Sequence, residues 1–308
     1  MKLTVVICTH NRSALLMQTI SSFNQANLAN NLSINILVIP NACTDKTVHQ
    51  LENYTANHSN NCLAISFSEE PRAGKSYALN HAINMTDSDY LCFVDDDQRV
   101  EKDFFIAIDS AISQFPEATI FCGQLTPDWT GLEPDWIHVK GNYQIYPIPI
   151  PDFTLGLKPK RITHETGHPS GGNLIIKKEV FSRIGCFSTA LGPKGHNLAG
   201  GEDSDFVIRA LNASEFIQYI PNIIQYHYVE LARLKLPYLI KNSFQRTRSF
   251  VSVNQPMHTA VPLYMWRKLF NYILGSLFSF NKIKIRFYLM RIASTCGEII
   301  GLIEKRNL

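Results

Sequence analysis

Five apolar or aromatic residues, Tyr90 to Val94, run directly into three carboxylates, Asp95, Asp96 and Asp97. An unbroken apolar run of this length reads as a strand buried on both faces. Three adjacent carboxylates cannot stay ionised in such an interior, because like charges raise one another's pKa and desolvation adds to the cost. The strand must therefore end where water, a cation, or both can reach it. In extended backbone Asp95 and Asp97 project to one side and Asp96 to the other. A divalent ion held by carboxylate oxygens would fit there, at the carboxyl edge of a sheet, where open α/β folds bind ligands. A solvated turn in which an Asp caps the next helix fits the same residues.

Strand-like and helix-like segments alternate around this run. Leu3–Cys8, Ile34–Ile39 and Leu63–Phe67 read as strands. Ser13–Asn24, a segment capped by Asp45 and continuing through Tyr54, and Gly74–Met85 read as helices. This order predicts an α/β fold with a mostly parallel sheet flanked by helices on both faces. Residues 124–170 are irregular and proline-rich, with Pro147, Pro149, Pro151, Trp129 and Trp136 among them. Such a segment shapes a substrate surface or is a structural excursion. Regular structure is expected again at Gly171–Ile176, and Gly200–Asp205 opens a helix through Leu211.

The net charge of +3 over 308 residues conceals a division. Residues 1–232 carry 16 Lys and Arg against 24 Asp and Glu, whereas residues 233–308 carry 13 against 2. The expected organisation is a nucleotide-binding, catalytic α/β domain over 1–232 and a helical, basic region over 233–308. Within the latter, Leu269–Asn281 is uncharged and aromatic-rich, with Tyr272, Phe278 and Phe280, and basic residues flank it. It is shorter than the roughly 20 residues that span a bilayer, and it suits a helix at an anionic membrane surface, here over residues 263–291. A helical subdomain packed on the rest of the chain suits it too. No nucleic-acid-binding motif accompanies the charge, so nucleic acid is not an expected partner. Seven scattered cysteines (Cys8, Cys43, Cys62, Cys92, Cys122, Cys186 and Cys296) have neither disulfide-framework nor zinc-site spacing. With an amino terminus that lacks a signal-peptide pattern, they point to the cytosol, and the basic region adds a peripheral position on the inner face of the membrane.

Five ordered elements carry a family likeness: Val5–Arg12, Asn41–Thr47, Gly74–Asn80, Asp95–Asp97 and Gly201–Asp203. With them the chain resembles the inverting family 2 glycosyltransferases of the GT-A fold, over about residues 2–228. The resemblance implies a Rossmann-like sheet that binds a nucleotide sugar and passes the sugar to a hydroxyl of a saccharide or lipid-linked acceptor in cell-surface glycan synthesis. It implies Mn²⁺ or Mg²⁺, with Asp97, Asp95 and His227 as metal ligands. It places Thr9, His10, Arg12, Asn41, Arg72, Lys75, Asp95 and Asp96 at the donor nucleotide. Gly171, Gly172 and Glu202 fall at the acceptor, and Asp203 becomes the general base, with Glu202 orienting the acceptor. The acidic residues 202, 203 and 205 also suit a helix amino terminus through its dipole alone. His227 between two tyrosines is equally a hydrogen-bonded core residue, and Arg72 and Lys75 are equally surface charges.

One position departs from the family pattern. Where an Asp usually precedes the Asn-Gly-Ser run and touches base or ribose, this chain has Pro40, which offers neither a polar side chain nor an N–H. A UDP-sugar is the family's default donor, and Pro40 weakens that inference without touching the metal chemistry. Two rival classes share the pattern. A sugar nucleotidyltransferase would release pyrophosphate, but Thr9–Arg12 stands where its Gly-rich, Arg-containing phosphate loop belongs. A catalytically inactive nucleotide-binding or scaffold protein would bind donor without turnover.

Overall fold

The computed structural model describes residues 1–57, 63–145, 149–193, 200–254 and 261–306. Cys62 and Pro147 lie outside the described residues. By internal contacts the chain forms two compact units. The first comprises Met1–Asp128, Pro151–Gly195 and Glu202–Tyr228; the second is built mainly from Trp129–Ile150 and Val229–Leu308.

In the first unit the elements run β1 (Lys2–Thr9), α1 (Ser13–Asn24), β2 (Ser33–Pro40), α2 (Thr47–Asn57), β3 (Ala64–Phe67), α3 (Lys75–Met85), β4 (Tyr90–Asp95), β5 (Gln98–Val100), α4 (Phe104–Gln114) and β6 (Ile120–Asp128). They continue with β7 (Lys160–Arg161), β8 (Leu174–Lys177), α5 (Val180–Ile184), α6 (Glu202–Asn212) and β9 (Ile217–Tyr228). Among the described residues the strands form one sheet in the order β3-β2-β1-β4-β8-β6-β9-β5, and β7 pairs with β9. β3, β2, β1 and β4 are mutually parallel, β8 is antiparallel to β4 and β6, and β6 runs parallel to β9. The fold is thus the expected Rossmann-like, mostly parallel α/β sheet.

Side-chain alternation explains why this sheet is covered on both faces. From β1, Leu3, Val5 and Ile7 join one core with Leu16, Ile20 and Phe23 of α1 and Phe104, Phe105 and Ile108 of α4. The intervening Val6 points to a second core with Ala78, Leu79 and Ala82 of α3 and Phe206 and Val207 of α6. Burial of β1 and β4 on both faces accounts for their unbroken apolar sequence. Asp45 caps α2 as expected, with its Oδ1 accepting hydrogen bonds from the Thr47 N–H at 3.0 Å and the Thr47 hydroxyl at 2.5 Å. The six described cysteines are free.

The second unit contains α7 (Leu236–Asn254), α8 (Leu263–Leu277) and α9 (Lys282–Arg306). Its cores are small: Val251, Met265, Ile299 and Leu302 form one, and Ile145, Leu239 and Met290 another. Trp136 packs against the latter, and the Arg286 guanidinium lies 4.4 Å from its ring centre. Trp136 is therefore a packing residue of this unit. Among the described residues, no helix is long and apolar enough to cross a membrane.

Candidate active site

The carboxyl ends of β1, β2 and β4 lie side by side, because Thr9 pairs with Pro40 and Cys8 with Asp95. This registration brings together residues far apart in sequence. The strand ends at Asp95, and Asp96 and Asp97 form a turn before β5. The turn changes the side-chain directions that extended backbone predicts. Asp96 and Asp97, not Asp95 and Asp97, share a partner: one Arg12 nitrogen donates to Asp96 Oδ1 and to Asp97 Oδ2, each at 2.8 Å. Asp95 Oδ1 instead meets Lys75 Nζ at 2.5 Å.

Asp96 and Asp97 are both 5% exposed. Burial first, then the charge of Asp97, pushes the Asp96 pKa up to about 6, against the opposing pull of Arg12 and a hydrogen bond from the Thr9 hydroxyl. The antiparallel pairing of β5 with β9 sets Gln98 opposite His227. His227 Nε2 consequently lies 3.2 Å from Asp97 Oδ1. Its Nδ1–H donates to the Tyr228 carbonyl at 2.9 Å, so Nε2 carries the lone pair unless the ring is protonated. A cavity of about 270 Å³ opens beside Asp97, with Gln18 and Ser22 of α1, Asp128 and Tyr226 in its walls.

A second cluster surrounds Lys75, the first residue of α3. Burial opposes its charge, but Asp95, Glu202 and Asp203 outweigh burial and raise its pKa, which keeps the ammonium charged. Glu202 and Asp203 begin α6, where the helix dipole favours negative charge. Burial, followed by the charge of Asp203, lifts the Glu202 pKa to about 7 despite Lys75. Asp203 is held in one orientation: Oδ2 accepts from the Gly171 N–H at 2.9 Å and Oδ1 from the Ser204 N–H at 2.7 Å. Gly171 and Gly172 permit this closeness. A Cβ on Gly172 would overlap the Asp95 carboxylate, and one on Gly171 would stand 3.2 Å from Asp203 Cβ.

Three further residues of the sequence reading have mainly internal partners. The Asn41 amide donates to the carbonyls of Glu70 and Arg72 and accepts from the Gly74 N–H. His10 Nδ1 meets the Asn41 carbonyl at 2.7 Å. Arg72 forms a two-pronged pair with Glu70 while its side chain remains 65% exposed. Sequence reasoning missed His168 and Ser170. His168 is half-buried, and burial followed by the His164 charge lowers its pKa against the pull of Asp203. His168 Nε2, Ser170 Oγ and Glu202 Oε2 are all buried without a hydrogen-bond partner. A lone histidine beside a proline carries no sequence signal for this placement.

Among the described residues, no group of three or more His, Cys, Asp or Glu is arranged to hold a metal ion. Asp97 and His227 are adjacent, whereas Asp95 faces Lys75.

Comparison with known proteins joins these observations to a family. The glucosyl-dolichyl phosphate glucuronosyltransferase of Haloferax volcanii is 22% identical over 212 residues, which span 68% of this chain and 63% of that relative's length. The mannosyltransferase PcManGT from Pyrobaculum calidifontis, solved with GDP-Man and Mn²⁺, superposes with a TM-score of 0.60 at 16% identity, over 99% of this chain and 86% of the other. TarS 1–349 of S. aureus, solved with UDP-GlcNAc, gives 0.53 at 13% identity, over 100% and 92%. The fold is accordingly that of GT-A enzymes. The model of the glycosyl transferase family 2 matches residues 4–185, from β1 through α5 and including Asp95–Asp97 but not Glu202 or Asp203, and the chain belongs to that family.

Proposed function

We propose that this protein transfers a sugar from a nucleotide-sugar donor to a hydroxyl of a saccharide or lipid-linked acceptor, with inversion and with Mn²⁺ or Mg²⁺ at the diphosphate. The observation that carries this reading is the His227–Asp97 pair on the sheet edge. With Nδ1–H committed to the Tyr228 carbonyl, Nε2 and a carboxylate oxygen face each other at 3.2 Å. Two electron-rich atoms so placed call for a shared proton or cation, and a backbone partner on the other ring nitrogen is the usual support of a metal-binding imidazole. Two protein ligands suffice for an ion whose shell phosphate oxygens complete. Asp97 and His227 would hold it, and when bound it would neutralise charge developing on the departing diphosphate.

The remaining chemistry falls to this chain's own residues. Asp203, fixed by two backbone N–H groups, takes the proton of the acceptor hydroxyl. That oxygen attacks the anomeric carbon as the bond to the diphosphate breaks, and a single displacement inverts the configuration. Glu202, His168 and Ser170 supply buried polar atoms that acceptor or donor sugar would satisfy. Lys75 keeps a positive charge among Asp95, Glu202 and Asp203. Thr9 and Arg12 orient Asp96 and Asp97 toward the donor, while Asn41 shapes the nucleotide side by joining the loops after β2 and β3. We assign the catalytic role to the first unit, and a cytosolic, membrane-peripheral position to the chain on the strength of its basic second unit.

The test is a thermal-unfolding panel of UDP, GDP, CDP and dTDP, each with and without Mn²⁺. A ligand at about 100 times its Kd stabilises by about 2.7 kcal/mol. One nucleotide is expected to act, only with metal, and Asp97→Asn is expected to remove its effect. If no nucleotide shifts the transition, an inactive scaffold becomes the better reading. Pyrophosphate in place of nucleoside diphosphate among the products would indicate nucleotidyl transfer instead.

A further inference from the structure

The second unit carries an apolar surface that its own helices leave uncovered. On α8, Leu263 is 86% exposed, Trp266 48%, Phe270 59%, Ile273 39% and Leu277 71%. Their spacing of three, four, three and four residues places them within an arc of roughly 80° on a helix of 3.6 residues per turn. Phe278 and Phe280 extend the same exposure beyond the helix end. A different face of α8 serves the unit's own core: Met265 is buried against Val251, Ile299 and Leu302, and Leu269 packs on them. The helix therefore has two apolar faces, and among the described residues only one packs into a core. A continuous exposed apolar surface of this kind marks an interaction site.

Charge selects the occupant. No Asp or Glu occurs between Glu230 and Glu298, a stretch with eleven Lys or Arg. Arg267 on α8 and Lys282 at the start of α9 are exposed. Two copies of so basic a surface would repel each other across an interface, whereas an anionic lipid surface complements both its charge and its apolar stripe. At 1.5 Å per residue the 15 residues of α8 extend about 22 Å, short of the roughly 30 Å hydrocarbon thickness. The geometry fits a helix lying in the interface with one face immersed.

We propose that α8 docks this protein on an anionic bilayer by immersing Leu263, Trp266, Phe270, Ile273 and Leu277 at the level of the acyl chains. This rests on the reading of the basic region as membrane-facing and adds the inserting element, its face and its orientation. Trp266 sits in the stripe as the interfacial anchor that indoles commonly provide.

The full chain is titrated with phosphatidylcholine vesicles with and without phosphatidylglycerol, and tryptophan fluorescence is quenched by brominated acyl chains. Binding is expected only with the anionic lipid, accompanied by quenching that Trp266→Phe abolishes. Phe270→Ser with Leu277→Ser is expected to weaken binding roughly tenfold or more, since each large apolar side chain contributes substantially on burial. Undiminished binding by that variant, or quenching unaffected by Trp266→Phe, would overturn immersion of the stripe and leave only electrostatic attachment. No binding by a chain that still transfers sugar to a soluble acceptor would overturn membrane docking and spare the catalytic reading. If the serine pair converts a dimer to a monomer without a vesicle effect, the stripe is a self-association surface and the proposal fails.

Discussion

At the sheet edge, Asp96 and Asp97 are almost fully buried and share Arg12, while in the helical unit Arg267 and Lys282 stand exposed, as do Leu277 and Phe280. The first region gathers charge where water is scarce, so its carboxylates depend on specific partners, and burial raises the pKa of Asp96. The second spreads charge of one sign over a surface where water screens it. Buried charge of the first kind suits chemistry, because groups held in a low-dielectric site act strongly on a reacting bond. Exposed charge of the second kind suits attraction to an extended partner. The contrast teaches that net charge alone does not place either region: in the acidic part Arg12 joins two buried carboxylates, whereas the basic part has 13 Lys and Arg against two Asp and Glu.

The largest expected effect lies in the buried region. Asp203→Asn should reduce the rate of nucleoside diphosphate release by about a hundredfold to ten-thousandfold, while the nucleotide-induced thermal shift persists. Near-normal turnover would remove the base assignment and with it the chemical half of the comparison. Next, Arg12→Ala leaves two buried carboxylates without their shared cation and should destabilise the chain by about 2–3 kcal/mol in urea unfolding, less than a fully buried pair because Arg12 is partly exposed. By contrast Arg248→Ala, which breaks an exposed pair with Glu304, should change stability by less than about 1 kcal/mol. Equal effects for the two arginines would erase the distinction between buried and screened charge.

A further effect concerns pH. Glu202 has a folded pKa of about 7 against an ordinary 4.5, so between these values the native state binds more protons than the unfolded state. Stability should therefore fall as pH rises from about 4.5 to about 7. Glu202→Gln should flatten that slope, as read from unfolding midpoints across the window. An unchanged slope would mean that another group binds the proton.

Much of the first unit was legible because its signals are local. The apolar runs of β1, β2 and β4, the Asp45 cap and the acidic opening of α6 each need only neighbouring residues. The short strands β5 and β7 and the twelve-residue β9 were not legible, since their pairing depends on distant partners. The Asp95–Asp97 cluster shows both sides of this division. Its position at a strand end followed from the intolerance of an apolar interior for three carboxylates. Its partners did not, because the turn at Asp96 overrides simple alternation and the partners come from the β1–α1 connection, α3 and β9.

The sequence by itself determined a parallel α/β core, a carboxylate cluster at its edge and a basic helical remainder, because hydrophobic periodicity and charge spacing act over a few residues. Only the tertiary structure decided that Arg12 joins Asp96 to Asp97, that Lys75 takes Asp95, that His227 reaches Asp97, and that α8 keeps an apolar face uncovered. Those pairings arise from strand register and helix packing between residues as many as 130 positions apart, over which a linear pattern carries no distance.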